Sequence, residues 1–227
     1  MMLTEKELPA DEPEFTTILH SRLFINQLIR FIFDVPLNKE SWQTILEDQR
    51  FQSLCDISFA CKMIQTDCNT LLSEPESLIK AQEEYNRLFV GPNVLPAPLW
   101  ESVYLGKEHI LFEEQTLQVR ECYRKHGLSF IREKNEPDDH IVSELEFLSF
   151  LIQKTIETPE LVTARNLLNE QISFLDDHLL KWCPQFCEML SDSSRIALYK
   201  GAAQLLEEYI TLERELALYL KEAIDHD

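Results

Sequence analysis

Leu198, Ala202, Leu205, Tyr209, Leu212, Leu216 and Tyr219 follow one another at alternating spacings of four and three residues, with Glu207, Glu208, Glu215 and Glu222 falling between them. On a helix this pattern gathers the apolar side chains on one face and leaves the charges on the other, so the helix needs partners to cover its stripe. The same periodicity recurs in Ile25, Leu28, Ile29 and Ile32, and again in Ile141, Leu145, Leu148 and Ile152. The 227 residues include only four glycines, and no alternating β-branched runs bounded by hairpin turns are found. Together these features predict an all-α fold, a single-domain bundle over residues 1–227 with residues 1–14 as a flexible extension. Pro36, Pro75, the stretch from Gly91 to Gly106, Gly127, Pro137, Pro159 and Pro184 mark the expected helix edges. They divide the chain into about eight or nine helices around one long proline- and aromatic-rich loop.

Charge narrows the partners. Forty acidic against 21 basic residues give a formal net charge of −19, which repels phosphate backbones and anionic lipid and attracts basic peptide segments. Nucleic acid is therefore not an expected partner. The six cysteines form no CxxC pair, and the opening "MMLTEKELPADEPEF" is acidic without an apolar core. These features argue against export and for a cytoplasmic protein with reduced thiols. The most apolar stretch, "RLFINQLIRFIFDV", is interrupted by Asn26, Gln27 and Arg30 and is too short to span a bilayer, so no stable membrane insertion is expected.

Signals for catalysis are sparse. No histidine lies three residues after a glutamate, as a di-iron carboxylate bundle requires. The tightest cysteine pair, Cys183 and Cys187, reads as buried structural thiols rather than zinc ligands. GxSxG, GxxxxGK[ST] and GxGxxG motifs are all lacking. "NEPDDHIVSELEF" at 135–147 is the sharpest polar cluster. It reads as a helix opening at Pro137, with Asp138 and Asp139 in the first turn and Asn135 as a possible cap. His140 and Glu144 lie four apart and share a face, either pairing or forming a polar pocket beside the apolar stripe. Asp138, Asp139, His140 and Glu144 also define the rival reading, a metal- or nucleotide-dependent helper enzyme.

"RLFVGPNVLPAPLWESVYL" at 87–105 is too apolar for a plain solvent loop. Pro92, Pro96 and Pro98 stiffen its backbone and so reduce the entropy lost on binding. Leu95, Leu99, Trp100, Val103 and Tyr104 either plug the bundle or line a groove open to a partner.

"YNRLFVGPNVLPAPLWESVYL" (85–105) followed about thirty residues later by "EPDDHIVSELEFL" (136–148) resembles the TorD/DmsD family of cytoplasmic chaperones that mature molybdenum-cofactor oxidoreductases. "DDHLLKWCPQF" (176–186) resembles a third family segment. The resemblance implies an all-helical, non-catalytic protein with no cofactor. It implies binding to the twin-arginine leader and to the body of a molybdoenzyme catalytic subunit, delaying export until the cofactor is inserted. Tyr85, Leu88, Phe89, Trp100 and Tyr104 would line an apolar groove, with Pro96, Pro98 and Glu101 beside them, and Pro137, Asp138, Asp139 and His140 would form its polar side. Glu144, His178, Trp182 and Phe186 are secondary candidates. Some family members are proposed to bind guanine nucleotide weakly, and the protein is expected as a monomer or a domain-swapped dimer. A nitrate-reductase type assembly factor with an unexported client is the nearest alternative. Leu99 stands where the family often has a second proline, Tyr85 and Tyr104 where it has tryptophan, and Glu113 where relatives can carry glycine.

Overall fold

The computed structural model describes residues 13–129 and 137–226, whose regular elements are all helices, without a strand. The extension expected at residues 1–14 lies, up to residue 12, outside the described residues, as does Asn135; Pro13 and Glu14 already belong to the first helix. In chain order the helices are α1 (Pro13–Asp34), α2 (Lys39–Glu47), α3 (Gln49–Ile57), α4 (Phe59–Ser73), α5 (Pro75–Tyr85), α6 (Glu101–Leu105), α7 (Glu114–Lys125), α8 (Ile141–Glu157), α9 (Leu161–Phe174), α10 (Leu180–Ser193) and α11 (Ala197–His226). α11 packs against α4, α9 and α10, while α1 lies along α8 and α11.

Local chemistry sets most of these boundaries. Asn38, Asp48 and Ser58 each accept a bond from a backbone N–H of the following first turn, so α2, α3 and α4 are separate helices although no proline or glycine divides them. Pro75 opens α5 at its first position, where its missing N–H costs nothing. α5 runs on into a π-helical turn, Asn86–Val90, that buries the adjacent Leu88 and Phe89. Gly91 ends it with φ 106°, a conformation open to glycine.

Three expectations are corrected. Pro184 does not end a helix: α9, a π-helical turn at Leu175–Leu179 and α10 form one continuous rod, with Pro184 inside α10. Pro184 lies near the start of α10, where the widened π turn already alters the hydrogen-bond register, so the missing N–H interrupts little. The helix after Pro137 begins at Ile141, with His140 as its cap, so Asp138 and Asp139 precede the first turn.

The stripe on α11 also drifts. Leu198, Ala202, Leu205 and Tyr209 are buried, but Leu212 is 48% and Tyr219 50% exposed, and the buried positions become Ile210, Glu213, Ala217, Leu220 and Ile224. A spacing averaging about 3.5 residues rotates by roughly 20° per heptad around a straight helix of 3.6 residues per turn. By the third heptad the apolar residues have left the core face. Glu213 takes a core position because it meets Arg22 of α1 through three hydrogen bonds of 2.6–3.0 Å, and Gln171 binds the same guanidinium at 2.6 Å.

Candidate functional site: an aromatic cleft joined by two motifs

The loop before α6 and the turn before α8 meet in one antiparallel bridge between Trp100 and His140. Its hydrogen bonds are Glu101 N–H to Asp139 O (3.0 Å) and Ile141 N–H to Leu99 O (2.8 Å). Extended backbone sends successive side chains to opposite sides, and directly opposed residues share a side. Trp100 and His140 therefore stand together, rings 5.1 Å apart and edge to face, while Glu101 and Asp139 turn into the protein.

Outward lies a cleft of about 820 Å³, within the range of small-ligand and peptide sites. Trp100 and His140 form one wall. Tyr85 and Phe89 come from the end of α5 and its π turn, Phe147 and Phe150 from α8, and Arg30 and Asp34 from α1. Tyr85 is pinned by its hydroxyl, which donates to Phe33 O at 2.9 Å. His140 Nδ1 accepts the N–H of Val142 at 3.2 Å, so capping α8 fixes the ring at the cleft wall. Glu146 of α8 brings a second carboxylate to the rim opposite Asp34.

Inward, the carboxyl groups hold helices together. Asp139 Oδ2 accepts the Ser102 N–H at 2.7 Å, capping α6 from another segment, and Oδ1 accepts the Thr116 hydroxyl of α7 at 2.6 Å. Asp138 Oδ2 accepts Arg120 Nε and Nη2 at 2.9 and 2.6 Å, and its carbonyl accepts the Tyr123 hydroxyl. His178 Nδ1 donates to Glu101 Oε2 at 2.9 Å, with Cys122 Sγ 4.0 Å from its other nitrogen. Trp182 Nε1 donates to Glu144 Oε2 at 3.1 Å. Burial opposes charge on His178, but the contacts with Cys122 and Glu101 outweigh it and raise the imidazole to about 9. Burial, reinforced by the charge of Glu101, keeps Glu144 protonated far above the usual carboxylate range.

The candidate set is thus divided. Tyr85, Phe89, Trp100 and His140 line the cleft. Leu88, Glu101, Tyr104, Asp138, Asp139, Glu144, His178, Trp182 and Phe186 are buried behind it. Tyr104 packs on Trp182 and Phe186 with centroids 5.3 and 6.2 Å away, and its hydroxyl donates to Pro98 O at 2.8 Å. Pro98 and the buried Pro137 flank the joint, and Pro96 lies at a separate concavity of about 410 Å³ beside Arg87 and Val94. His140 and Glu144 do not share a pocket, because a capping residue points out where a first-turn residue four later points in. Asp138, Asp139, His140 and Glu144 hold no common point for a cation, and among the described residues no group of three His, Cys, Asp or Glu is arranged to bind one. Cys183 and Cys187 are buried free thiols, both raised by that burial. Glu113 closes the turn before α7, accepting backbone N–H groups of Lys107, Glu108 and Ile110. Its carboxylate comes so close to Gly106 that a Cβ there would collide with it.

Among the cleft residues outside the candidate set drawn from the motifs are Arg30, Asp34, Glu146, Phe147 and Phe150. Phe147 and Phe150, three residues apart, project from one face of α8 into the cleft. Arg30 and Asp34 are an i,i+4 charged pair at the end of α1, a signal visible in sequence, where Arg30 reads only as an interruption of an apolar stretch.

The family model of the nitrate reductase delta subunit matches residues 58–188, more than half of the chain. The chain belongs to that family. It is 35% identical over 123 residues to the probable Tat proofreading chaperone DmsD of Haemophilus influenzae, covering 54% of this chain and 55% of that protein. It is 35% identical over 130 residues to the Tat proofreading chaperone DmsD of Salmonella typhi, covering 57% of each. The chain thus spans a little over half the length of these relatives. The chaperone protein TorD of Aliivibrio salmonicida is 25% identical over 158 residues, 70% of this chain and 74% of that one. Among solved structures, a putative redox enzyme maturation protein from Archaeoglobus fulgidus aligns with a TM-score of 0.46 and 20% identity, over 86% of this chain and 93% of that one. The DmsD and TorD relatives bear the names of the chaperones that the proline-aromatic and PDDH motifs resemble. No described helix is long and apolar enough to cross a membrane.

Proposed function

We propose that the protein is a non-catalytic cytoplasmic chaperone that binds the twin-arginine signal peptide, the apo form, or both, of a molybdenum-cofactor oxidoreductase of the DMSO or TMAO reductase type. One observation carries the reading: the bridge between Trp100 and His140 brings both motifs to one cleft with aromatic walls and carboxylates at its rim. A twin-arginine leader joins two guanidiniums to an apolar segment, so its receptor needs anionic groups beside an apolar surface. Each leucine-sized side chain buried in such a cleft contributes about 1.5–3 kcal/mol before ordering costs, and a few suffice for micromolar affinity. The mechanism is occupancy. A leader held in the cleft is withheld from export until cofactor insertion, and release follows folding of the client.

The names of the matched relatives support this reading, and the family model's description supports a second one, an assembly factor for an unexported nitrate reductase. Calorimetric titration tests both. The panel contains twin-arginine leaders of molybdenum reductases, controls with both arginines replaced by alanine, and the N-terminal segment of a nitrate reductase catalytic subunit. Saturable binding of one leader, lost in its alanine control, is expected. Binding of the nitrate reductase segment alone moves the function to the assembly factor, and silence across the panel with folded protein rejects leader binding.

A further inference from the structure

The cleft already contains a guanidinium of the protein's own. Arg30 Nη2 sits 3.7 Å from Asp34 Oδ2 and 3.4 Å from Glu146 Oε2. Well-made guanidinium–carboxylate bonds close to ~2.7–2.9 Å, and Arg22 and Glu213 reach 2.6–3.0 Å elsewhere in this molecule. Arg30 Nε is buried without a partner among the described residues, so the pairing is incomplete on the arginine's side as well. Asp34 is the last residue of α1, at the end of the helix dipole that disfavours an anion, so helix stability does not account for it.

Two other polar groups at the cleft point to a ligand independently. Ser143 lines the cleft at 3% exposure with its Oγ unpartnered, and the indole N–H of Trp100 is buried and unpartnered as well. Both lack a partner among the described residues, and leaving a buried polar group unsatisfied is ordinarily costly. An extended peptide offers the carbonyl and N–H groups that would complete both. The carboxylates of the PDDH motif cannot supply the cationic subsite, because Asp138 is engaged by Arg120 and Asp139 by Ser102 and Thr116.

We infer that Asp34 and Glu146 form the guanidinium subsite of the cleft, and that Arg30 is an internal stand-in displaced when an arginine-bearing peptide enters. This rests on the peptide-binding reading above and assigns its charge recognition to α1 and α8 rather than to the motif carboxylates. Arg30 is 31% exposed and Glu146 59% exposed, so the side chain can swing to solvent on its flexible stem without disturbing the bundle. Its departure leaves two carboxylates facing each other across the rim, an arrangement that two adjacent arginines neutralise. Arg30 also sets a threshold, since a single weakly held cation must compete with an intramolecular one.

The test uses arginyl-arginine amide and lysyl-lysine amide as probes, titrated into the full chain and followed by the indole N–H resonance of Trp100. Saturable binding of the arginine probe is expected, with weaker binding of the lysine probe, whose point charges lack the planar fork. The double variant Asp34→Asn with Glu146→Gln should bind the arginine probe about three- to tenfold more weakly, and Arg30→Gln about threefold more tightly. A control pair of exposed carboxylates on α11 that do not line the cleft, Glu215→Gln with Glu222→Gln, should leave affinity unchanged, separating the subsite from the general field of the acidic protein. No binding of the arginine probe, or binding indifferent to Asp34, Glu146 and Arg30, overturns the subsite. A leader titrated in parallel separates the two claims. An inert leader with an arginine probe that follows this pattern rejects leader binding and keeps the subsite. A leader that binds the double variant as tightly as the unmodified protein rejects the subsite and keeps the chaperone.

Discussion

The two sides of the joint between the motifs are built from neighbouring residues and behave as opposites. On the cleft side, Trp100 and His140 face each other, and Trp100 Nε1 and Ser143 Oγ lack partners among the described residues. One residue along, on the inner side, both oxygens of the Asp139 carboxylate are bonded, and Glu101 meets His178 within the core. The inner side spends its polarity on fixing α6, α7 and α8, and the outer side holds polarity in reserve on a rigid frame. A binding surface works only if its groups are held in place before the ligand arrives, which is what the bonded layer provides. A carboxylate in a motif is therefore not by that fact a ligand.

The sharpest way to break this contrast is to truncate one tryptophan from each side. Trp182 is fully buried against Tyr104 and Phe186 and bonded to Glu144. Trp182→Ala should cost ~3–5 kcal/mol in denaturant unfolding, and a loss below about 1 kcal/mol would show that the inner layer is not structural. His178 sharpens the comparison through pH. Its folded value of about 9 exceeds the ordinary 6.5. The stabilisation is therefore complete below the ordinary value and disappears as pH rises through the folded one. At neutral pH it is worth about 2–3 kcal/mol. The stability gap between the unmodified protein and His178→Gln should be wide at about pH 6 and narrow towards pH 10. An equal gap at both ends would mean that the ring contributes packing alone. The smallest effect on folding is expected on the cleft side. Trp100→Ala should weaken leader binding about tenfold while shifting unfolding by no more than ~1 kcal/mol. If it unfolds the protein, the cleft wall is core and the contrast fails.

Individual residues show how far the sequence could be read. Ile141, Leu145, Leu148 and Ile152 are all fully buried, as their spacing requires, because a short stripe stays in register with a helix. Leu212 and Tyr219 are exposed because a longer stripe does not, and the position that the pattern passed over, Glu213, is buried by an arginine 191 residues away. Pro184 misled because a breaker acts through the bonds around it, and a π turn had already changed those bonds. Within the cleft, Tyr85, Phe89, Trp100 and His140 were legible as motif residues. Phe147 and Phe150 required knowing where α8 begins, and Arg30, Asp34 and Glu146 required knowing that α1 lies along α8.

The sequence by itself determined the helical class, the repulsion of phosphate, and the two segments on which the site is built, because composition, charge and periodicity are local properties of a chain. Only the tertiary structure decided which residues of those segments face a ligand. A one-residue step in extended backbone reverses the direction of a side chain, and Trp100 and Glu101 are separated by one such step. The partner that fixes the outcome, Asp139 capping α6 from 37 residues away, exists only once the chain has folded.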